Sequence, residues 1–126
     1  PDKQVFSLVG DGGALMTGSE LATAVAQKAK IRVIVANNQH YGTIRYHQEL
    51  HFPTRDHYAT NLVNPDFAKY GESFGLECFT IEKVEDVIPA IKKAMNVAGP
   101  SLIEFKMSLE LNTSTTTITE LQINKS

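Results

Sequence analysis

Two oxygen-donor side chains stand out by position. Asp11 lies inside Gly10-Asp11-Gly12, directly after the apolar run Val5-Phe6-Ser7-Leu8-Val9. Asn38 closes Asn37-Asn38, directly after the β-branched run Ile31-Arg32-Val33-Ile34-Val35-Ala36, and 38 − 11 = 27 positions beyond Asp11. A carboxylate and an amide oxygen, with a backbone carbonyl as a further donor, are hard ligands that suit Mg²⁺ or Ca²⁺ rather than zinc. Mg²⁺ takes six oxygens at about 2.0–2.1 Å and commonly shares them with phosphates. Two side chains cannot fill that shell, so a diphosphate is expected to supply the rest. Gly12 and Gly13 follow the first run, where backbone N–H groups can approach an anion without side-chain obstruction. The start of the next helix adds a favourable partial positive charge.

Competing motifs fail on spacing. A dinucleotide fingerprint would need glycine where Leu15 stands, and no Gly-Lys-Ser/Thr triplet exists for a P-loop. Gly-Asp-Gly alone could be a tight turn whose aspartate caps a helix. The Asn-Asn pair after the second run is what favours a ligand site.

The elements that must position these groups follow from periodicity. The runs 5–9 and 31–36 read as strands buried on both faces. Thr17 or Ser19 can cap a helix over about 18–29, where Leu21, Ala22, Val25 and Ala29 repeat at helical spacing. A crossover of this length implies a parallel pair, and ligands bind outside the carboxyl ends of such strands. Residues 42–50 suggest a short helix, and 51–62 a mobile surface loop of functional length. Asn64-Pro65 reads as an N-cap and first helical position, with Phe67, Tyr70 and Phe74 on one face and Gly75 as terminator. A third strand is expected over 76–81. A helix stripe follows through Val84, Val87, Ile88, Ile91, Ala94 and Met95, with Pro89 tolerable only in its first turn. A fourth strand is expected over 101–107. Residues 1–107 then form one α/β domain with a parallel sheet and helices on both faces, and 108–126 a Thr-rich extended arm.

Bulk properties narrow the class. The chain has 126 residues, 42% hydrophobic and 21% charged, enough for a single domain with a real core. A net charge of −2 gives no basic surplus for nucleic acid, and no apolar run is long enough to span a membrane. The single cysteine, Cys78, precludes a disulfide within the chain and fits a cytoplasmic setting. It reads as a small buried hydrophobe. A chain that opens on Pro1 and enters a strand almost at once is expected to be the C-terminal part of a longer polypeptide.

The spacing Gly10-Asp11-Gly12, 24 residues, Asn37-Asn38 resembles the thiamine diphosphate motif. The strings GDGGALMTGSELATA and NNQHYGTIRYHQE are similar to the acetolactate synthase-like branch of thiamine diphosphate-dependent enzymes. The resemblance implies that Asp11 and Asn38 coordinate Mg²⁺ through side-chain oxygens and His40 through its backbone carbonyl. Gly10, Gly12 and Gly13 would surround the diphosphate, and Tyr41, Gly42 and Thr43 would line the path toward the thiazolium ring. It implies a 2-oxo acid substrate, decarboxylated or carboligated, with the cofactor as electron sink. It also implies a homodimer or homotetramer in which an upstream pyrimidine-binding domain, of the same or a partner subunit, carries the activating glutamate.

The chain departs from particular members. Pyruvate decarboxylases carry glutamate at the position of Ile44, and acetolactate synthases tryptophan at the position of His47. Neither activity is assigned on these residues. Arg45 is read as a surface arginine before a substrate contact, His51 and His57 as solvated, and Met16 and Leu21 as helix-packing residues. Three alternatives remain open: a 2-oxo acid decarboxylase of the same superfamily, a non-catalytic cofactor-binding or interaction module, and a plain structural α/β domain.

Overall fold

A computed structural model describes residues 3–52, 56–110 and 116–123. The four apolar runs form the strands expected of them: β1 (Val5–Gly10), β2 (Ile31–Asn37), β3 (Glu77–Ile81) and β4 (Ser101–Lys106). Every pairing is parallel, in the order β1-β2-β4-β3. The helices are α1 (Asp11–Thr17), α2 (Leu21–Ala26), α3 (Gly42–His51), α4 (Phe67–Ser73), α5 (Val87–Asn96) and α6 (Ile118–Ile123). Because successive strand residues point to opposite faces, the sheet carries two apolar clusters. Val35, Leu102 and Leu76 meet Leu21 of α2 and Phe67 of α4 on one face. Ile81 and Ile103 meet Ala90 and Ala94 of α5 on the other. The sheet with helices on both faces is the architecture the sequence implies.

Several details differ from the sequence reading. The first helix does not wait for Thr17: it begins at Asp11, directly off β1, with extended Gly10 as its N-cap. It gives way to a 3-10 turn over Gly18–Glu20 before α2. A Cβ on Gly18 would lie 2.8 Å from the Tyr70 hydroxyl, so glycine at the break admits the close approach of α4. Met16 of α1 is 73% exposed rather than a packing residue, whereas Leu21 is buried.

Asn64-Pro65 does not cap α4. Asp66 does, accepting from the Lys69 backbone N–H at 3.0 Å. The far end behaves as expected: Gly75 takes φ +91, and the Gly75 and Leu76 N–H groups return to the Glu72 and Gly71 carbonyls.

The loop 51–62 is anchored where it is described; residues 53–55 lie outside the described residues. Thr60 is fully buried, and the Tyr41 and Leu62 N–H groups donate to the Thr60 and Gln39 carbonyls. The Gln48 amide of α3 holds both the N–H and the carbonyl of Tyr58. Of the tail, 111–115 and 124–126 lie outside the described residues, and the described part is not an extended arm: α6 packs on α3, with Ile118 buried. Val84, placed in the α5 stripe by the sequence, is exposed in the 3-10 turn that precedes the helix, and Ile88 is also exposed. Pro89 falls in the first turn, as its missing N–H requires.

Candidate functional site

The register of β1 and β2 places the site. Gly10 pairs with Ala36, so the chain emerges from the two carboxyl ends with Asp11 beside Asn37, and Asn38 one residue further out. Asp11 is 2% exposed. Its Oδ1 accepts from the Gly12 N–H at 2.9 Å and its Oδ2 from Asn64 Nδ2 at 2.7 Å. Gly12 and Gly13 are therefore first-turn residues of α1 rather than a loop ahead of it. First-turn N–H groups have no backbone partner within the helix, and that of Gly12 is taken by the Asp11 side chain.

A cavity of about 240 Å³ opens at this point. Gly10, Asp11, Gly12 and Gly13 form one wall, and His40, Tyr41, Gly42 and Thr43 the other. Eight residues singled out by sequence thus line one space. The ninth, Asn38, stands just outside this lining, with its side-chain oxygen 3.3 Å from the donating His40 N–H. The imidazole Nδ1 of His40 lies 2.7 Å from the Asn38 carbonyl. The two walls touch: a Cβ on Gly12 would fall 2.5 Å from Tyr41 Cε1, so Tyr41 can lie across α1 only over glycine.

The turn that presents His40 is strained. Gln39 has φ +58, a left-handed conformation costing a non-glycine residue about 1–2 kcal/mol. Two bonds hold it there: its N–H donates to Asn37 Oδ1 at 3.2 Å, and its carbonyl accepts from the Leu62 N–H at 2.8 Å. Such strain gathers at functional sites and persists only where the surroundings fix it.

The chain matches the family model described as the C-terminal TPP binding domain of thiamine pyrophosphate enzymes, over residues 1–105. It belongs to the thiamine pyrophosphate enzyme family. It is 36% identical over 111 residues to the acetolactate synthase large subunit of Corynebacterium glutamicum, covering 83% of this chain and 18% of that one. It is 36% identical over 115 residues to a 3D-(3,5/4)-trihydroxycyclohexane-1,2-dione hydrolase of Bacillus velezensis, covering 85% and 18%. Among solved structures, the Rhodococcus jostii RHA1 thiamine diphosphate-dependent 4-hydroxybenzoylformate decarboxylase superposes with a TM-score of 0.79 at 30% identity, over 86% of this chain and 20% of that one. The chain thus spans about a fifth of the length of these relatives.

The residues of this thiamine pyrophosphate-binding domain fit the diphosphate end of the cofactor. No group of three or more His, Cys, Asp or Glu side chains that could hold a metal occurs among the described residues. A cation here would draw on one carboxylate plus amide and carbonyl oxygens, a set suited to Mg²⁺. The wall opposite Tyr41 is lined by Gly10, Gly12 and Gly13, so backbone borders the cavity there without side-chain obstruction.

Sequence reasoning missed the network behind Asp11 and the burial of Arg45. Asn64 donates to Asp11 Oδ2 and, at 2.8 Å, to Asn37 Oδ1. Asn37 Nδ2 in turn donates to Glu104 Oε1 at 2.7 Å, and Glu104 is 1% exposed on β4. A charged residue in the middle of the apolar run Leu102-Ile103-Glu104-Phe105 was the available signal. Arg45, read as a surface residue, is buried and paired with Glu49 at 2.8 Å, one turn along α3. Gln122 of α6 also donates to Glu49. Arg45 is therefore engaged behind the site. His47 and His51 stack on the outer side of α3, and both are exposed.

Proposed function

We propose that this chain holds the Mg²⁺–diphosphate end of thiamine diphosphate within a larger enzyme that acts on 2-oxo acids, in the acetolactate synthase-like branch. The observation that carries the reading is the buried Asp11 carboxylate at the first turn of α1, facing the Tyr41-Gly42-Thr43 wall across one cavity. Asp11 and Asn38 would bind the cation through side-chain oxygens and His40 through its carbonyl. Gly12 and Gly13 would hold the diphosphate, Gly13 through its N–H and Gly12, whose N–H is engaged by Asp11 Oδ1, through the close approach its missing side chain allows. Tyr41, Gly42 and Thr43 would line the way to the thiazolium. Bound there, the cofactor supplies an electron sink for carbanion chemistry. The chain's own residues bind, orient and partly bury it.

The named relatives are a synthase, a hydrolase and a decarboxylase. The chain is similar to all three over most of its length, which supports reading it as the holder of a common cofactor and seeking substrate choice elsewhere. A larger assembly is supported by edge strand β1, whose Phe6 and Leu8 are 49% and 76% exposed on the face that α5 leaves uncovered. A pyrimidine-binding domain of the same or a partner subunit would complete the site, in a cytoplasmic homodimer or homotetramer.

The test is Asp11→Ala in the complete enzyme. Mg²⁺-dependent cofactor retention, measured by equilibrium dialysis, should fall by at least about 100-fold, beyond the 10–100-fold typical of losing a supporting residue. Normal retention would refute the assigned role.

A further inference from the structure

The amide of Asn64 faces two oxygens, Asp11 Oδ2 at 2.7 Å and Asn37 Oδ1 at 2.8 Å. Both are acceptors, so the nitrogen must point to them and the orientation of the amide is fixed. The opposite carboxylate oxygen of Asp11 takes the Gly12 N–H. The carboxylate is therefore held at both oxygens, once by its own helix and once from a distant loop. That loop is itself fastened: His40 and Asn61 form an antiparallel bridge, and the Tyr41 N–H donates to the Thr60 carbonyl. Behind Asn64, Asn37 is secured by Glu104 Oε1 from the neighbouring strand. Four side chains from four segments thus form one chain of hydrogen bonds that ends on Asp11.

We infer that Asn64 is a positioning residue that fixes the orientation of the Asp11 carboxylate for Mg²⁺, with Asn37 and Glu104 as its anchor. The inference rests on the proposed cation role of Asp11. Rotation of a carboxylate matters most to a cation with strict demands. Mg²⁺ requires near-ideal octahedral geometry, whereas Ca²⁺ accepts variable angles and six to eight oxygens. Releasing Asp11 should therefore harm Mg²⁺ binding more than Ca²⁺ binding. Partners of this kind typically contribute 10–100-fold to metal affinity.

The experiment uses the complete enzyme freed of metal, with saturating thiamine diphosphate. Mg²⁺ and Ca²⁺ are titrated separately, and bound cofactor is read by equilibrium dialysis, without turnover. Asn64→Ala should raise the half-saturating Mg²⁺ concentration at least about 10-fold and the Ca²⁺ value by clearly less. Asn64→Ser, whose short hydroxyl cannot reach both acceptors, should behave alike and decides the matter if the alanine variant does not fold. Equal weakening of both cations, or unchanged Mg²⁺ dependence with a lower apoprotein melting temperature, would overturn the inference and leave Asn64 a structural residue. Asp11→Ala runs in parallel. If it leaves Mg²⁺ dependence intact, the cation role fails, and the inference with it. If it abolishes the dependence while the Asn64 variants retain theirs, only the inference fails.

Discussion

The sheet buries charged side chains at both ends, and the two ends treat them differently. At the amino end of β2, Arg32 is 1% exposed, yet all its donors are used. Nε donates to Gln4 Oε1, and the two terminal nitrogens reach the carbonyls of Ile31, Met95, Val97 and Gly99. Two of those carbonyls belong to the C-terminal end of α5 and its cap, where a cation is favoured. At the carboxyl end, Asp11, Asn37, Asn64 and Glu104 form a chain of oxygen-rich side chains that leaves acceptors over. Glu104 Oε2 and Asn64 Oδ1 are buried with no hydrogen-bond partner among the described residues. A saturated buried charge ties elements together. At the carboxyl end two buried acceptors are left over, on the side of the sheet where the cation and cofactor are proposed.

Arg32→Met should break the saturated guanidinium cluster at the amino end and spare the carboxyl end. It removes a charged donor from several buried carbonyls, and hydrogen bonds to charged groups are each worth about 1.5–3 kcal/mol. The expected loss is on the order of 3 kcal/mol of unfolding free energy, read from denaturant titration. In the complete enzyme, half-saturation by Mg²⁺ should stay within about twofold, because distant sites act independently. A large shift in Mg²⁺ dependence would show that the two ends are coupled and would dissolve the contrast.

Gly12→Ala probes the open end without touching a charge. The added Cβ would sit 2.5 Å from Tyr41 Cε1, so the ring must move off α1. Overpacking of this kind costs about 1–3 kcal/mol. Because both residues line the cavity, the loss of cofactor retention should exceed the loss of melting temperature. Unchanged retention would mean that the Tyr41 wall is dispensable.

The contrast also explains which features were legible. Strands, sheet class, and the Gly-Asp-Gly and Asn-Asn positions follow from local pattern, and all sit where register alone brings them together. Asn64 was misread because Asn-Pro is a strong local cap signal. Its hydrogen bonds run to residues 53 and 27 positions away, for which no spacing rule exists. The start of α1 was missed because Gly12 and Gly13 have poor helix propensity. Tyr41 packing across Gly12, a tertiary contact, accompanies the helix there. Arg32 and Glu104 did carry a signal, as charges inside apolar runs. Sequence could not say that one would be satisfied and the other left with an open oxygen.

Cys78 offers the smallest effect and a neutral control between the two ends. It lies on β3, half-buried against the Leu102 cluster, and burial, assisted by Glu72, pushes its thiol from the ordinary value of 9.0 up to about 11. The folded chain therefore holds the thiol proton more tightly than the unfolded one. That contribution to stability is complete below about pH 9 and is lost as pH rises toward 11. At pH 8, alkylation of Cys78 in the folded chain should be roughly 100-fold slower than in denaturant, since two pH units separate the thiolate populations. Cys78→Ser should remove the stability slope above pH 9, change stability by about 1 kcal/mol, and leave Mg²⁺-dependent cofactor retention unaltered. Rapid alkylation in the folded state would place Cys78 in a wetter or more positive setting than its packing indicates. A change in cofactor retention would mean that the apolar cluster beneath α4 transmits to the Asn64 network, so that the carboxyl end of the sheet extends further into the core than its hydrogen bonds trace.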